Sequence, residues 1–594
     1  SHRVFINEME FIKNMEIKEL SYYINQAKII KPENHKNKIR IAFVGSFTLN
    51  GFEETIQVQC NDEKINCTTY NSPYNQFNQE ILNEDSNLYK FKPDIIFLVI
   101  DSRTVLEDSF YFSKINSENK EFVNKKINEI KNLIQTLTKN TQSKIIMTNF
   151  VIPTYSSLGI YESKVEYGIK EIVLNLNKEL KELSKNINSF YVYDFNSFVT
   201  KFGENNVLDY KKMNYGDIKI NFDIIPHLIY DFLGYTKPIL GLNKKCLVLD
   251  LDNTLWGNIV GEDGFEGIKV GPYPEGRSFV EFQKVIKALS DNGIILAINS
   301  KNNQNEAMKV INEHPHMILR EKDFSCIKIN WNDKIANMRE ISKELNIGLD
   351  SIVFFDDDAV NRELLRMTLP EVNTVELPKD PSTYAQILRD LNDFNTLKIT
   401  NDDVQRKTMY EQEQNRQKLQ SSTENLNEYL KKLDIKIKIK LNDKLSIARI
   451  SQLILKTNQF NLTTKRYQEE EIEEFFADKT MIVGCSEVDD KFGENGITNV
   501  FIIKTKSNEW VIDTFLLSCR IMGRGIEEGI IGKILEIAKN KGIEKITATF
   551  IPTEKNEPAE NFLKNYGFEE ENEKWVFLLK NKIKIPDHLE VELK

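Results

Sequence analysis

"KKCLVLDLDNTLWGNIVGEDG", residues 244–264, runs from an apolar strand into two aspartates, then a tryptophan and a glycine-containing loop. Its first half, CLVLDL, is a nearly continuous apolar run, as expected of a strand covered on both faces in a parallel sheet. Two runs of the same kind follow, "GIILAINS" at 293–300 and "SIVFFDDD" at 351–358. Between the first two, Phe279, Phe282, Ile286 and Leu289 recur at helical spacing and the pattern stops at "DNG". Strand, helix and strand in alternation predict a parallel α/β sheet.

The three strands end in chemically loaded residues: Asp250 and Asp252, then Ser300, then Asp356, Asp357 and Asp358. Ligands of open parallel sheets bind beyond the carboxyl ends of the strands, so these residues meet in one crevice. Lys334, in "INWNDKIANM", opens a helix that points to the same place. The carboxylates of Asp250, Asp252, Asp356 and Asp357 would repel one another there and need a cation. Hard oxygen ligands with little enclosure suit Mg²⁺, which often binds substrate phosphate. One aspartate can then attack phosphorus, while the other protonates the leaving oxygen and later activates water. Ser300 and Lys334 would hold the phosphoryl oxygens. A lone DxD is a weak signal; DxD, Ser, Lys and DD in this order are a strong one. Asp358 reads as a solvated helix start.

The totals bound the rest. A chain of 594 residues, 40% hydrophobic and 28% charged, argues for several globular domains. No apolar run approaches eighteen residues, so no membrane span is expected, and the first residues lack a signal pattern. A net charge of -10 argues against a general nucleic-acid binder. Six cysteines form no disulfide framework, and Cys60 and Cys67 lack a second pair for zinc, so a cytoplasmic protein with reduced thiols is expected.

"LVLDLDNTLW", "INS", "K" and "VFFDDD" resemble the four motifs of the haloacid dehalogenase (HAD) superfamily of phosphotransferases. That resemblance implies Asp250 as nucleophile, Asp252 as acid/base and Thr254 as its support. It also implies that Ser300 and Lys334 bind phosphate, and that Asp356 and Asp357 hold Mg²⁺ with Asp250. "DLDNTLWGNIVGEDGFEGI", "FSCIKINWNDKIANM" and "LPEVNTVELPKDPSTY" are similar to the FkbH-like glyceryltransferase/phosphatase family (HAD subfamily IIIC). Asn258 stands where that family carries a second glycine, and Asp358 and Asn361 replace its Asn and Glu. Only 45 residues separate Thr254 from Ser300, and 21 separate Lys334 from Asp356. Neither gap holds a lid domain, so the crevice is expected to be capless.

After a polar, helix-forming stretch at 398–434, a third domain over 435–594 carries the hairpin-like "NVFIIKTKSNEWVIDTFLLSC" and a helix from Ile526. Arg520, Gly523, Arg524 and Gly525 fit the Arg/Gln-x-x-Gly-x-Gly pattern that holds a pyrophosphate at a helix N-terminus. With "ITATFIPTEKNEPAENFLKNYGF", this region resembles a GNAT-type acyltransferase and implies phosphopantetheine or CoA as its ligand. Cys519 beside the loop reads either as a thiol relay activated by the helix start and two arginines or as a small buried residue. Cys246 and Cys326 read as core. "LILKTNQFNLTTKRY", 453–467, reads as a binding run or as a capped helix end with an ordered loop.

Residues 1–240 show strands "KIRIAFVGSF", "PDIIFLVIDSR" and "SKIIMTNFVIP" and a helix over "NKEFVNKKINEIKNLIQTLTKN". "FVGSF" resembles the strand-end serine of an SGNH-hydrolase-like fold, but His227 lacks the Asp-x-x-His spacing of a working triad. A structural or docking domain is the better reading.

The expected architecture is therefore three α/β domains. They are SGNH-like (1–240), capless HAD-like with a Rossmannoid parallel sheet (241–397) and, after the linker, GNAT-like mixed α/β (435–594). The resemblance implies transfer of a glyceryl group from 1,3-bisphosphoglycerate to the phosphopantetheine thiol of an acyl carrier protein, with removal of the phosphate, in polyketide or secondary-metabolite biosynthesis. The alternative is a Mg²⁺-dependent small-molecule phosphatase fused to an acetyl-CoA-dependent N-acetyltransferase.

Overall fold

The structure, a computed structural model, describes residues 17–31, 35–110, 118–399, 425–553, 556–572 and 574–594, with 412, 416, 419, 420 and 423 between them. Most of the expected 398–434 linker lies outside the described residues; within it, Leu426–Leu433 is a helix. The chain forms two compact units, Glu16–Thr236 and Lys237–Lys594. The expected middle and third domains thus share one unit.

In the first unit, β1 (Asn37–Gly45), β2 (Ile65–Asn71), β3 (Ile95–Val99), β4 (Lys144–Thr148) and β5 (Phe190–Tyr193) form a parallel sheet in the order β2-β1-β3-β4-β5. The predicted helix spans Glu118–Asn140.

The second unit begins with β6 (Cys246–Leu249), β7 (Ile295–Ser300), β8 (Cys326–Ile329), β9 (Ile352–Phe355) and β10 (Asn373–Thr374), a parallel sheet in the order β10-β9-β6-β7-β8. Successive strand side chains point to opposite faces. Leu247, Leu249, Leu296, Ile298, Val353 and Phe355 enter one buried cluster. Cys246, Val248, Ile295, Ala297, Ile352 and Phe354 enter the other, with Cys326. Helices cover both faces, which is why these strands read as unbroken apolar runs. Burial raises the Cys246 and Cys326 thiols above their ordinary range, as suits core residues. Between Asp252 and β7 lie only the short helical segment Val260–Gly267 and the helix Pro274–Asp291, so no cap domain is inserted between these two strands.

The remaining strands build a mixed sheet: β11 (Ile435–Leu441), β12 (Phe460–Asn461), β13 (Met481–Asp490), β14 (Gly493–Thr505), β15 (Glu509–Leu517), β16 (Lys545–Ala548), β17 (Glu569–Glu571), β18 (Lys574–Leu578) and β19 (Leu589–Leu593). Its order is β17-β18-β16-β15-β14-β13-β11-β19, with β12 also paired to β15. The helix Ile526–Asn540 packs its buried isoleucines into the same core. Among the described residues, no helix is long and apolar enough to cross a membrane.

Candidate active site

β6 and β9 are neighbours in register, Leu249 opposite Phe355, so the residues just beyond them emerge together. Asp250, Asp356 and Asp357 each present a carboxylate oxygen within 4.8 Å of the others. Lys334, the first residue of the helix Lys334–Glu344, reaches the same point and is only 4% exposed. Its Nζ lies 2.8 Å from Asp250 Oδ2 and 2.7 Å from Asp356 Oδ2. Burial penalises the ammonium, but the two carboxylates outweigh that and hold it at about 12. Ser300, 1% exposed, ends β7, the strand paired with β6 on the side opposite β9.

Three carboxylates against one ammonium leave excess negative charge in a dry place. Asp250 Oδ1 is buried and accepts no hydrogen bond. Burial first, then the charges of Asp250 and Asp356, push the Asp357 carboxyl from an ordinary 3.8 up to about 7, with Lys334 pulling the other way. Asp356 is raised by burial and by Asp250, again against Lys334. An oxygen-only set with an orphaned oxygen and raised carboxyl groups fits a hard divalent cation held by Asp250, Asp356 and Asp357.

These shifts predict a pH effect. Without a cation, the folded protein keeps protons that the unfolded chain has already released, so stability falls as pH rises from 3.8 toward about 7. A bound divalent cation holds both carboxylates ionised and flattens that slope. Urea midpoints measured across this window, in chelator and in excess cation, check it; equal slopes contradict it.

Asp252 corrects the expected ligand set. Its carboxylate lies outside the group, with Oδ1 accepting from Trp256 Nε1 at 2.8 Å and from the Val260 backbone N–H at 3.1 Å. Oδ2 accepts from Asn302 Nδ2 at 2.7 Å. Burial raises its pKa despite these donors, which suits a proton donor rather than a ligand. The turn that aims it uses Asn253 and Asn258, both at positive φ (52° and 71°). Asparagine tolerates this left-handed region, so Asn258 serves where a glycine was expected. It also donates its backbone N–H to Asn253 Oδ1 and its Nδ2 to Gly267 O. At Gly257 a Cβ would come within 2.8 Å of the Phe279 ring, so only glycine fits there.

The Thr254 hydroxyl, expected to support Asp252, accepts from the Asp357 backbone N–H at 3.2 Å and lies 3.4 Å from Asp357 Oδ1. Asp358 caps the helix Ala359–Thr368 through the Val360 N–H.

Several supporting residues escaped the sequence reading. Arg362, 3% exposed, donates to the carbonyl oxygens of Asp356 at 2.8 Å and Asp357 at 2.7 Å, and pairs with Glu376. It thereby clamps the backbone under two of the carboxylates. Buried Asn299 receives Asn337 Nδ2 and donates to the Lys334 carbonyl at 2.9 Å, fixing the start of the lysine's helix. Isolated Asn and Arg residues carry no periodic or motif signal that could have flagged them.

The Arg520–Gly525 loop differs from expectation. Gly523 and Gly525 do adopt left-handed φ (76° and 73°) before the helix Ile526–Asn540. Arg524, however, is 5% exposed and turned inward: it donates to Arg520 O at 2.9 Å and lies 3.6 Å from Asp490, which also takes Arg416. The Arg524 carbonyl oxygen is 2.9 Å from His588 Nε2. Arg520 Nε lies 3.4 Å from Ser518 Oγ. Cys519 opens a 3-10 turn; its side chain is outside the described set.

Next to this loop, β15 pairs with β16 only through Glu509–Ile512. Beyond that, Phe460 and Asn461 pair with Leu517 and Leu516, and Leu462 N–H donates to Phe515 O. Thr463 Oγ1 donates to Asp513 O, and Lys465 and Tyr467 both reach the Asp513 carboxylate. The chain's own 460–467 segment therefore covers that strand edge.

In the first unit, Ser46 Oγ accepts the Asp101 N–H. His35 bonds Asn61, and His227 packs on Phe202 with its pKa lowered by burial to about 4.

Residues 40–233 match the family model described as FkbH, N-terminal domain. The N-terminal part of the protein BF1531 from Bacteroides fragilis, which contains a phosphatase domain and was solved in complex with Mg, is 30% identical over 64% of this chain and 100% of its own, with a TM-score of 0.60. A putative GNAT-family acetyltransferase from Desulfovibrio desulfuricans is similar at 9% identity over 24% of this chain and 99% of its own, TM-score 0.20. A GNAT-family acetyltransferase from Staphylococcus aureus Mu50 gives 15%, 24%, 99% and 0.20. Similarity at that level decides neither fold nor function. None of the curated proteins matches.

Proposed function

This chain belongs to the FkbH family of proteins with a HAD-like phosphatase domain, and from that premise we propose that it glycerylates an acyl carrier protein. In this reading the acyl C–O bond of 1,3-bisphosphoglycerate breaks as the carrier's phosphopantetheine thiol forms a thioester. One phosphate leaves at that step, and the remaining phosphomonoester is hydrolysed at the Asp250 site. The observation that carries the phosphatase half is the buried group of Asp250, Asp356, Asp357 and Lys334 at the ends of β6 and β9.

Mg²⁺ held by Asp250, Asp356 and Asp357 would neutralise those carboxylates and draw in the phosphoryl oxygens. Asp250 attacks phosphorus and the P–O bond to the glyceryl oxygen breaks, giving an aspartyl phosphate. Asp252 supplies the proton to the leaving oxygen, a role its raised pKa suits. It then takes a proton from the water that hydrolyses the aspartyl phosphate. Lys334 and Ser300 hold the phosphoryl oxygens during both steps, and Arg362 keeps the Asp356–Asp357 backbone in place.

The thiol half rests on the C-terminal region, read as GNAT-like, with the Gly523–Gly525 turn as the phosphate end of the arm's site and Cys519 as a thiol relay. An extended amide arm adds to a free strand edge through its N–H and C=O groups. The 460–467 segment on β15 leaves no such edge beyond Ile512. That observation bears equally on CoA and on a carrier-borne arm, which share the pantetheine amides, so an arm at the Gly523–Gly525 turn would bind without adding to β15.

Intact mass spectrometry tests the reading. A holo acyl carrier protein incubated with this protein, Mg²⁺ and fresh 1,3-bisphosphoglycerate is expected to gain a glyceryl group without phosphate. Cys519→Ala is expected to abolish the adduct if the relay operates. Steady phosphate release with no adduct on any carrier contradicts the transfer.

A further inference from the structure

The mouth of the capless crevice carries a side chain for which the phosphatase chemistry has no use. Trp331 is 71% exposed, and its Nε1–H donates to Asn303 Oδ1 at 3.2 Å. The Asn303 backbone N–H donates to Asn302 Oδ1, and Asn302 donates to Asp252 Oδ2. Just before Trp331, the Asn330 N–H donates to Ser300 O at 3.1 Å, and Asn330 Oδ1 accepts from the Asn332 N–H. Asp333 then caps the helix that begins with Lys334. Trp331 therefore stands between the loop after Ser300 and the turn into Lys334, tied through two asparagines to the acid/base.

Two more apolar side chains are exposed on the segments that follow neighbouring strands. Ile259, beyond β6, is 37% exposed, and Val360, beyond β9, is 73% exposed. Scattered surface apolar residues are ordinary. Here Ile259 follows β6, Val360 lies in the first turn of the helix after β9, and Trp331, the largest, follows β8 and is hydrogen-bonded to Asn303. Of these, only Trp331 is linked to the site by hydrogen bonds, through Asn303 and Asn302 to Asp252.

The chemistry of the indole discriminates between substrates. Phosphoglycerate offers hydroxyl, carboxylate and phosphate oxygens, none of which gains from an indole face. A pantetheine arm offers flat amides and a geminal dimethyl group, which pack on an aromatic plane. Resting on the carrier-borne reading above, we propose that Trp331 determines specificity. Its indole receives the pantetheine portion of a carrier-borne phosphoester whose phosphate lies at Asp250 and Lys334.

Steady-state phosphate release by wild-type protein, Trp331→Ala and Trp331→Phe tests this on two substrates: the 3-phosphoglyceryl thioester of pantetheine, and 3-phosphoglycerate. Trp331→Ala is expected to lower kcat/KM for the thioester about tenfold more than for 3-phosphoglycerate, chiefly through KM. Trp331→Phe, which keeps an aromatic plane, is expected to restore most of the difference. Equal changes on both substrates overturn the role of Trp331. No release from the thioester by wild-type protein overturns the carrier-borne reading and, with it, this inference.

Discussion

Asp250→Asn will remove phosphatase turnover, by about 10⁴-fold or more, while the fold persists. The side chain is 7% exposed, with Oδ2 on Lys334 and Oδ1 without a partner, so its two oxygens divide between anchoring and attack. An amide of the same shape keeps the packing but cannot form an acyl phosphate. It also removes one negative charge from a crowded site, so the variant is expected to be at least as stable as the wild type without a cation. Phosphate release and a urea melt on the same sample check both halves. Residual turnover within tenfold of wild type would place the nucleophile elsewhere.

Lys334→Met will act in the opposite sense on stability. Its ammonium is the positive charge that the structure sets against both Asp250 and Asp356, all three deeply buried. Removing one partner of a buried ionic group costs about 3–5 kcal/mol, because the carboxylates are left together without compensation. Divalent cation should recover part of that loss, and by more than it stabilises the wild type, since it offsets the same charge. Turnover should also fall about 10²–10³-fold, as expected on deleting a preorganised donor to the phosphoryl oxygens. Urea denaturation with and without Mg²⁺ measures the first effect. A variant as stable as wild type in chelator would show that Lys334 does not offset those carboxylates.

The parallel sheets were legible because their strands are buried on both faces and therefore spell themselves as apolar runs. β6, β7 and β9 are of this kind. β2 was not legible: its INCTTYN mixes polar residues because it is an edge strand with half its side chains near solvent. β11, IKIKIKL, alternates strictly, but neither partner adjoins it in sequence: β13 comes after a helix-containing stretch and β19 lies near residue 590, so no local hairpin signal marked it.

At the site, the strand-end carboxylates, Ser300 and Lys334 could be read because parallel topology alone brings such ends together. The orientation of Asp252 could not, since it depends on a left-handed turn at Asn253 and Asn258 and on Asn302 from a different loop. The inward turn of Arg524 was equally hidden, because its partner Asp490 is on β13 and the glycine pattern around it says nothing of side-chain direction.

The most direct test of phosphoryl transfer at Asp250 is chemical capture of the acyl phosphate. Protein quenched in acid during turnover and reduced with borohydride converts a phosphorylated aspartate to homoserine, which peptide mass spectrometry locates. Homoserine at position 250, absent when substrate is omitted, is the predicted result. Homoserine at another aspartate, or unmodified Asp250 in protein that is turning over, would contradict it.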